Sequence, residues 1–322
     1  MESIKDKSTQ QVVKCLWILT NIKGGFGMEI FIITGFLGSG KTSLLNHLIK
    51  GVHEEGKRIA VIMNEFGKRT VDSELIQSDV TVNEIINGCI CCEMKDDVAH
   101  QLHMLYIEQQ PEIVLIECSG IAHPLEVLDA CLTPVLSPFI TIRSIIGIID
   151  IPEYQKIATY SKQTQQLIDV QLKYCQDIIV NKLDLIDSCE AINVIKSIQE
   201  QYPRAETFST TYGKVSYHHL SKKVKNIPFK NQNQNFHSHI YHKYYSIDKP
   251  VQMEKFKLWL QNLPQKVYRV KGFITFENSP NKYLVQISNS NVLIEKYDID
   301  IDDYLILIGE KIDEENIFFS LY

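Results

Sequence analysis

The sequence predicts an α/β fold with a mostly parallel sheet, followed by a smaller α+β C-terminal domain. From Glu29 onward, short β-rich runs alternate with amphipathic helical stretches, as is typical of βα units that wind a parallel sheet. The strand candidates are nearly continuous apolar runs, which suit a sheet that helices cover on both faces. The chain of 322 residues is long enough for two domains of about 100–200 residues each.

The individual elements follow from the hydrophobic pattern. In the first domain, the predicted strands are 30–34, 59–63, 113–116, 145–149 and 178–180. The predicted helices are 42–49, 98–106 and 165–174, and the first of them carries Leu44, Leu45, Leu48 and Ile49 on one face. After a polar stretch, a helix over 253–260 and strands over 267–276, 283–288 and 304–308 form the second domain. We expect Trp259 of this helix to lie in the core.

The composition excludes several classes of protein. With 44% hydrophobic residues, the chain is neither disordered nor a small scaffold held by disulfides. Its formal charge of -6 gives no electrostatic reason to expect nucleic acid or an anionic membrane as a partner. No apolar run reaches the ~20 residues that span a bilayer, and the first residues lack a secretory signal, so we expect a cytoplasmic protein. Its eight cysteines then suit metal or redox chemistry better than disulfides.

A phosphate-binding loop is the strongest motif. The run GFLGSGKT, from Gly35 to Thr42, is a complete G-x-x-x-x-G-K-[ST] between a predicted strand and a predicted helix, which indicates a P-loop NTPase fold rather than a structural turn. Its backbone N–H groups and the helix N-terminus attract phosphate, Lys41 reaches the β- and γ-phosphates, and the Thr42 hydroxyl ligates Mg²⁺. The expected phosphate-binding residues are Gly35, Gly38, Ser39, Gly40, Lys41, Thr42 and Ser43.

A second motif indicates which base is bound. Asn181-Lys182-Leu183-Asp184 has the form N-K-x-D and follows a predicted strand, at the edge where wound sheets bind ligands. The Asp184 carboxylate can accept hydrogen bonds from guanine N1–H and N2–H₂, whereas adenine would leave a buried acceptor unpaired, at a cost of ~1–3 kcal/mol. We therefore expect Asn181, Lys182 and Asp184 to bind GTP or GDP. The plainer interpretation of Asp184 is a residue that caps a helix.

Two acidic strand ends complete the predicted nucleotide site. In Glu117-Cys118-Ser119-Gly120, the Glu117 carboxylate can hold Mg²⁺ through water, and the Gly120 amide can contact the γ-phosphate. Glu65 follows the strand over 59–63. We expect it to bind Mg²⁺, to position water or to bind the second metal, and the alternative is a solvated loop carboxylate. The predicted catalytic residues are Lys41, Glu65 and Glu117.

A cysteine cluster indicates a soft metal ion. Cys89, Cys91 and Cys92 form a C-x-C-C run, which is poor for a single disulfide but suits one tetrahedral Zn²⁺ with a fourth ligand from elsewhere. Glu65 or a client protein would supply that ligand. The alternatives are three buried structural cysteines and a redox relay.

These motifs together resemble the CobW-type metallochaperone GTPases. GFLGSGKT, NEFG, NGCICC, ECSG and NKLD occur in the family's order, and VYRVKGFITF and LILIGEKIDEE are similar to its second domain. The resemblance implies slow GTP hydrolysis coupled to binding and delivery of a transition metal, mostly zinc and sometimes cobalt. It assigns Glu117–Gly120 to an acidic switch and the three cysteines to the metal motif.

The sequence departs from the family pattern at three positions. Lys68 stands where an acidic residue usually follows N-E-F-G, His123 replaces an Asp, and Cys118 replaces a Thr. These changes put an accessory metal site in the switch loops in doubt. His123 and Cys118 are alternatively soft ligands near the nucleotide, although a histidine beside a proline is more often an ordinary loop residue.

The domain organisation follows from the same pattern. Residues 28–220 form the predicted GTPase domain, 221–243 a polar linker and 244–322 the C-terminal domain. Residues 1–27 are an extension, and translation is expected to start at Met28 unless this is a natural tail. His237, His239 and His242 in the linker either collect zinc or are incidental.

The predicted function is a GTP-hydrolysing metallochaperone that uses GTP, Mg²⁺ and Zn²⁺. Its partner would be a metal-dependent client protein, and a homo-oligomer stays open. The alternatives are a metal buffer or sensor with incidental GTPase activity, a cobalt insertion accessory protein, and an ATP-dependent enzyme that shares only the phosphate loop.

Overall fold

The computed structural model describes residues 27–63, 80–84, 93–221, 233–234, 240–264, 266–288, 291–297 and 301–310. The chain divides into two compact units, one over 26–225 and one that includes 226–322. Each has its own sheet and its own hydrophobic core. Among the residues that the structure describes, none of the helices has the length and apolar character needed to cross a membrane.

The first unit is a parallel sheet flanked by helices, as the sequence predicts. Its strands are β1 (Met28–Thr34), β2 (Ile59–Met63), β3 (Val80–Glu84), β4 (Ile113–Glu117), β5 (Ile140–Asp150), β6 (Asp177–Asn181) and β7 (Glu206–Ser209). Its helices are α1 (Lys41–Glu54), α2 (Glu93–Glu108), α3 (Pro124–Cys131), α4 (Ile151–Gln155), α5 (Lys162–Lys173), α6 (Ser188–Gln201) and α7 (Tyr217–Ser221).

The strand order is β3-β2-β4-β1-β5-β6-β7, and every pair is parallel. All carboxyl ends therefore lie at one edge of the sheet, with β1 and its phosphate loop in the middle. The strands β2, β4 and β6 are buried along their whole length, as a sheet covered on both faces requires. The predicted apolar face of α1 is confirmed, because Leu44, Leu45, Leu48 and Ile49 are all buried.

Several elements are longer than the pattern predicts or are not predicted at all. The strand predicted over 145–149 extends from Ile140 to Asp150, because Thr141, Arg143 and Ser144 interrupt the apolar run without ending the strand. Helix α6 is missed because it is largely polar and buries only Ala191 and Ile198. Strand β7 is missed because only one of its four residues, Phe208, is apolar.

The second unit is a mostly antiparallel sheet with one helix packed on it. Its elements are β8 (Asn233–Gln234), β9 (Ile240–Ser246), α8 (Met253–Gln261), β10 (Val267–Thr275), β11 (Lys282–Ser288), β12 (Asn291–Tyr297) and β13 (Tyr304–Glu310). The order is β12-β11-β10-β13-β9-β8. Trp259 and Phe256 of α8 are buried against the sheet, so the predicted core role of Trp259 is confirmed.

The linker predicted over 221–243 is too long at its C-terminal end. Strand β9 begins at Ile240 and pairs with β13, with His242 in register with Ile308. The β-forming residues Ile240, Tyr241, Tyr244 and Tyr245 explain the strand, although the polar residues before them suggest a linker. Polar composition alone therefore placed the boundary wrongly.

Candidate nucleotide-binding site

A cleft of about 480 Å³ lies at the carboxyl edge of the parallel sheet. It brings together residues from three separate motifs and from one loop that the sequence analysis did not single out. The lining residues are Gly38, Gly40, Lys41, Thr42, Ser43, Glu117, Asn181, Lys182, Asp184, Leu185 and Tyr212. Nine of them are predicted site residues. The predicted residues Gly35 and Ser39 instead line a neighbouring cavity of about 30 Å³.

The phosphate loop depends on two glycines that tolerate no side chain. Gly40 has a φ of 104°, and a Cβ placed there would lie 2.4 Å from Asn181 Nδ2. Gly35 has a φ of 146°, and its Cβ would lie 2.4 Å from the Ile148 carbonyl oxygen. Both the left-handed backbone and the close neighbours therefore require glycine. This geometry lets the loop curl between β1 and α1, as the motif predicts.

Lys41 is held inside the loop. Its Nζ donates hydrogen bonds to the carbonyl oxygens of Gly35 and Phe36, at 3.0 and 3.2 Å, and the residue is only 6% exposed. A buried ammonium group requires such partners. Its charge is thus centred on the loop where phosphate would bind.

Thr42 and Glu117 meet across 75 positions of sequence. The Thr42 hydroxyl donates a hydrogen bond of 3.0 Å to Glu117 Oε1, and Glu117 is 1% exposed. A hydroxyl and a carboxylate are both hard oxygen donors, the type that Mg²⁺ prefers. This pair at the mouth of the phosphate loop therefore fits the predicted magnesium ligands.

Asn181 joins the base motif to the phosphate loop. Its Nδ2 donates a 3.0 Å hydrogen bond to the Ser39 carbonyl, and its Oδ1 accepts a 2.9 Å bond from the Gly213 N–H. Asn181 is 2% exposed, so both bonds are shielded from water. One side chain thus fixes the relative positions of two loops that line the cleft.

The rest of the base motif faces the cleft. Lys182 has a left-handed backbone with a φ of 66° and forms an ion pair with Asp150, at the end of β5. Asp184 lies exposed in a short 3₁₀ helix, Leu183–Leu185, that lines the cleft. It is Asp187, three residues later, whose side chain caps α6 by accepting from the Cys189 N–H. The capping interpretation of Asp184 is therefore wrong.

Sequence reasoning missed the loop over 210–214, which follows β7. Tyr212 has a φ of 56° and is 65% exposed at the cleft. A Cβ on Gly213 would lie 2.7 Å from the Leu44 amide nitrogen, so glycine lets this loop lie directly on α1. The signal was the Tyr-Gly pair after a strand end, but β7 itself was not predicted.

The structure caps a helix with one of the two candidate soft ligands and buries the other. The His123 Nδ1 accepts a 3.2 Å hydrogen bond from the Leu125 N–H and caps α3. Cys118 is 1% exposed, and burial raises the pKa of its thiol to about 12 despite the nearby Lys41 charge. A thiol with that pKa stays protonated near neutral pH, and a metal ion would have to displace this proton in order to bind.

Other predicted metal residues lie outside the described ranges. Glu65, Cys89, Cys91, Cys92, His237 and His239 belong to this group. Within the described part of the chain, no group of three or more His, Cys, Asp or Glu side chains is arranged to hold a metal ion.

A comparison with protein families identifies the family of each unit. The family described as CobW/HypB/UreG, nucleotide-binding domain, matches residues 29–209, which is more than half of the chain. The chain belongs to the CobW/HypB/UreG family. The cobalamin synthesis protein cobW C-terminal domain matches residues 242–321. The resemblance to the CobW-type proteins is thus confirmed in both units.

Named relatives in this family are similar over parts of their length. Zinc chaperone CobW of Sinorhizobium sp is 30% identical over 183 residues, which are 49% of this chain and 51% of that protein. The zinc-regulated GTPase metalloprotein activator 1 of Schizosaccharomyces pombe is 32% identical over 198 residues, 58% of this chain and 47% of that protein. The chain therefore spans about half the length of these two relatives.

A third relative matches over more of its length. Zinc chaperone YjiA of Escherichia coli K12 is 28% identical over 285 residues, 80% of this chain and 85% of that protein. The crystal structure of Zn(II)-bound YjiA GTPase from E. coli has a TM-score of 0.46 at 21% identity and covers 92% of this chain and 99% of its own.

Proposed function

We propose that the chain is a GTP-hydrolysing metallochaperone. It would bind zinc, or a related transition metal, through Cys89, Cys91 and Cys92 and transfer it to a client protein in a nucleotide-dependent way. The observation that carries the nucleotide half is the single cleft in which the phosphate loop, Glu117 and the N-K-x-D motif meet. The names of the zinc chaperone relatives support the metal half.

The cleft residues divide the work of binding GTP. Lys41 and the N–H groups of the phosphate loop hold the phosphates, and Asp184 accepts hydrogen bonds from the guanine edge. Asn181, three residues before Asp184, ties the base motif to the phosphate loop through its bond to Ser39 and to the 210–214 loop through its bond from Gly213. These bonds oppose movement of the loops and so reduce the ordering that GTP binding requires.

Hydrolysis in such a site is mainly a matter of positioning and charge. Thr42 and Glu117 would hold Mg²⁺, which supplies positive charge to the β- and γ-phosphates when bound. When GTP binds, the Lys41 ammonium group would exchange its two carbonyl partners for oxygens of the β- and γ-phosphates. Glu65, which follows β2 by two residues, is the proposed group that positions the attacking water.

The topology supports a metal site near this cleft. Met63 is in register with Glu84 on one side and Glu117 on the other, so the ends of β3 and β4 lie two strand spacings apart, or ~10 Å. The chain from 85 to 92, which contains the three cysteines, connects the end of β3 to the start of α2. Thiolates on this connection would lie within reach of Glu117 and its loop.

Such proximity would supply a mechanism for release. Coupling between two sites is typically ~1–3 kcal/mol, so the nucleotide state would change zinc affinity by about 5- to 150-fold. We propose that GTP orders the loops around the cysteines and that hydrolysis weakens the site. Because zinc displaces protons from thiols, its affinity should fall as pH falls.

The nucleotide half is tested by an Asp184→Asn variant. We expect it to lose at least about tenfold in GTP affinity, because the amide N–H₂ faces guanine donors, while ATP affinity stays low. Glu200→Gln, a matched loss of one charge on the exposed part of α6, is the control. Equal binding of GTP and ATP by the wild-type protein would refute the assignment.

The metal half is tested by zinc content and zinc affinity. The triple variant of Cys89, Cys91 and Cys92 to Ser should purify without stoichiometric zinc and keep its GTP affinity. For the wild type, zinc affinity should differ between a GTP analogue, GDP and no nucleotide. Identical affinities in the three states would remove the chaperone mechanism and leave a metal buffer.

A further inference from the structure

Gln171 on α5 holds the loop that follows Glu117. Its Nε2 donates hydrogen bonds to the carbonyl oxygens of Gly120 and Ala122, at 3.0 and 3.3 Å. Gln171 is 1% exposed although its side chain is polar. These bonds cross about 50 positions of sequence, so they tie the loop to a different element of the fold.

The clamped loop rests on the phosphate loop. A Cβ on Gly120 would lie 2.4 Å from Leu37 Cδ2 and 3.0 Å from the Leu37 amide nitrogen. Gly120 can therefore approach the phosphate loop backbone only because it lacks a side chain. Gln171 and Leu37 also line the same small cavity, so the clamp lies directly beside the phosphate loop.

The helix end that carries Gln171 is itself fixed. The Cys175 Sγ donates a hydrogen bond of 3.1 Å to the Gln171 carbonyl oxygen, and both residues are buried. The Gln171 Oε1 is also buried, and among the described residues it has no hydrogen-bond partner. Burying an amide whose oxygen has no hydrogen-bond partner is unfavourable, and an apolar side chain would fill the same space without this cost. The two donated bonds are therefore the reason for the residue's position.

We infer that Gln171 is a positioning residue that preorganises the γ-phosphate side of the site. This inference rests on the proposed function and on the contact between the Gly120 amide and the γ-phosphate that the sequence predicts. By fixing the carbonyls on either side of Ile121, Gln171 holds that amide against the phosphate loop before GTP binds. GDP has no γ-phosphate, so its binding does not use the clamp.

The test compares Gln171→Met with the wild-type chain. Methionine keeps the length and approximate volume of glutamine but has no donor. We expect GTPγS affinity to fall about 5- to 30-fold, since each net hydrogen bond changes an equilibrium constant about fivefold, while GDP affinity changes less than about twofold. The KM for GTP should rise with little change in kcat, because the same contact is made in the ground and transition states.

Two further measurements separate positioning from damage to the fold. Without nucleotide, hydrogen exchange in the segment 118–125 should become faster in Gln171→Met. Gln165→Met is the matched control on the same helix, because the Gln165 amide donates to the Tyr160 carbonyl rather than to the loop that follows Glu117. If Gln171→Met does not fold, Gln171→Asn keeps the amide but shortens its reach and should show the same selective loss.

The outcomes distinguish the clamp from the proposed function. A wild-type chain that binds neither GTPγS nor GDP overturns both. A wild-type chain that binds both nucleotides, with a GTPγS-to-GDP affinity ratio unchanged in the Gln171 variants, overturns the clamp alone. A selective loss of GTPγS affinity together with faster exchange at 118–125 supports it.

Discussion

Asn181→Ala is expected to destabilise the first unit and weaken nucleotide binding together. The substitution removes both hydrogen bonds of the Asn181 side chain, one to the Ser39 carbonyl and one from the Gly213 N–H. The Asn181 side chain is 2% exposed in the native chain, so water cannot readily take its place as the partner of these two groups.

The magnitude follows from these two losses. An unsatisfied buried N–H costs about 1–3 kcal/mol, and a lost net hydrogen bond costs about 1 kcal/mol. We expect the free energy of unfolding to fall by about 2–4 kcal/mol, which corresponds to a fall in Tm of about 4–16 °C for a unit of this size. GTP affinity should fall as well, because the two loops lose their fixed separation.

Thermal unfolding and nucleotide titration of the same preparations measure the two effects. Gln155→Ala is the control, because it removes an exposed amide whose hydrogen bond to Glu190 is 3.5 Å long. That variant should change stability by less than about 0.5 kcal/mol. If Asn181→Ala and Gln155→Ala unfold at the same temperature, the bridge between the loops contributes nothing and the reasoning is wrong.

Three other predictions concern single groups. Gly40→Ala should reduce GTP affinity and stability more than Gly38→Ala, because a Cβ on Gly40 meets Asn181 whereas one on Gly38 meets nothing within 4 Å. GTP titrations and thermal unfolding of the two variants measure the difference. Iodoacetamide at pH 8 should label exposed Cys189 but not buried Cys118. Burial raises the pKa of the Cys118 thiol from its ordinary value of 9.0 to about 12, which lowers its thiolate fraction ~1000-fold. Peptide mass spectrometry that finds equal labelling of the two cysteines contradicts this. Burial, aided by the charge of His100, lowers the pKa of His103 from 6.5 to about 4, so the unfolded chain binds the proton first and stability should fall as pH drops from 6.5 to 4, by about 2–3 kcal/mol. Denaturation curves of His103→Gln, which should lack this component, provide the comparison.

The sequence predicted the parts of the fold that depend on local pattern. Strand 59–63 and the start of helix α8 at Met253 are placed without error, because apolar runs and turn residues define them locally. Elements with little buried surface were missed, as α6 and β7 illustrate. Helix α6 carries a capping residue, Asp187, that would have revealed it without the apolar periodicity.

The candidate site divides in the same way. The phosphate loop and the N-K-x-D motif were identified from sequence, because each chemistry requires specific residues at fixed spacing. Tyr212 and Gly213 were not, because the strand that precedes their Tyr-Gly pair, β7, was itself not predicted. Gln171 was not, because nothing in its immediate neighbours indicates a ligand. These residues acquire a role only through contacts with Leu44, Asn181 and the Gly120 loop.

The sequence by itself determined which chemical groups this chain offers: a phosphate loop, an acidic strand end, a base motif and a run of cysteines. Only the tertiary structure decided that Thr42 meets Glu117 and that Asn181 joins Ser39 to Gly213, contacts that span 75, 142 and 32 positions. The physical reason is that parallel strands bring their carboxyl ends to one edge whatever their separation along the chain. Which side chains then touch depends on strand order and on backbone approach at glycines, and neither is encoded in any local pattern.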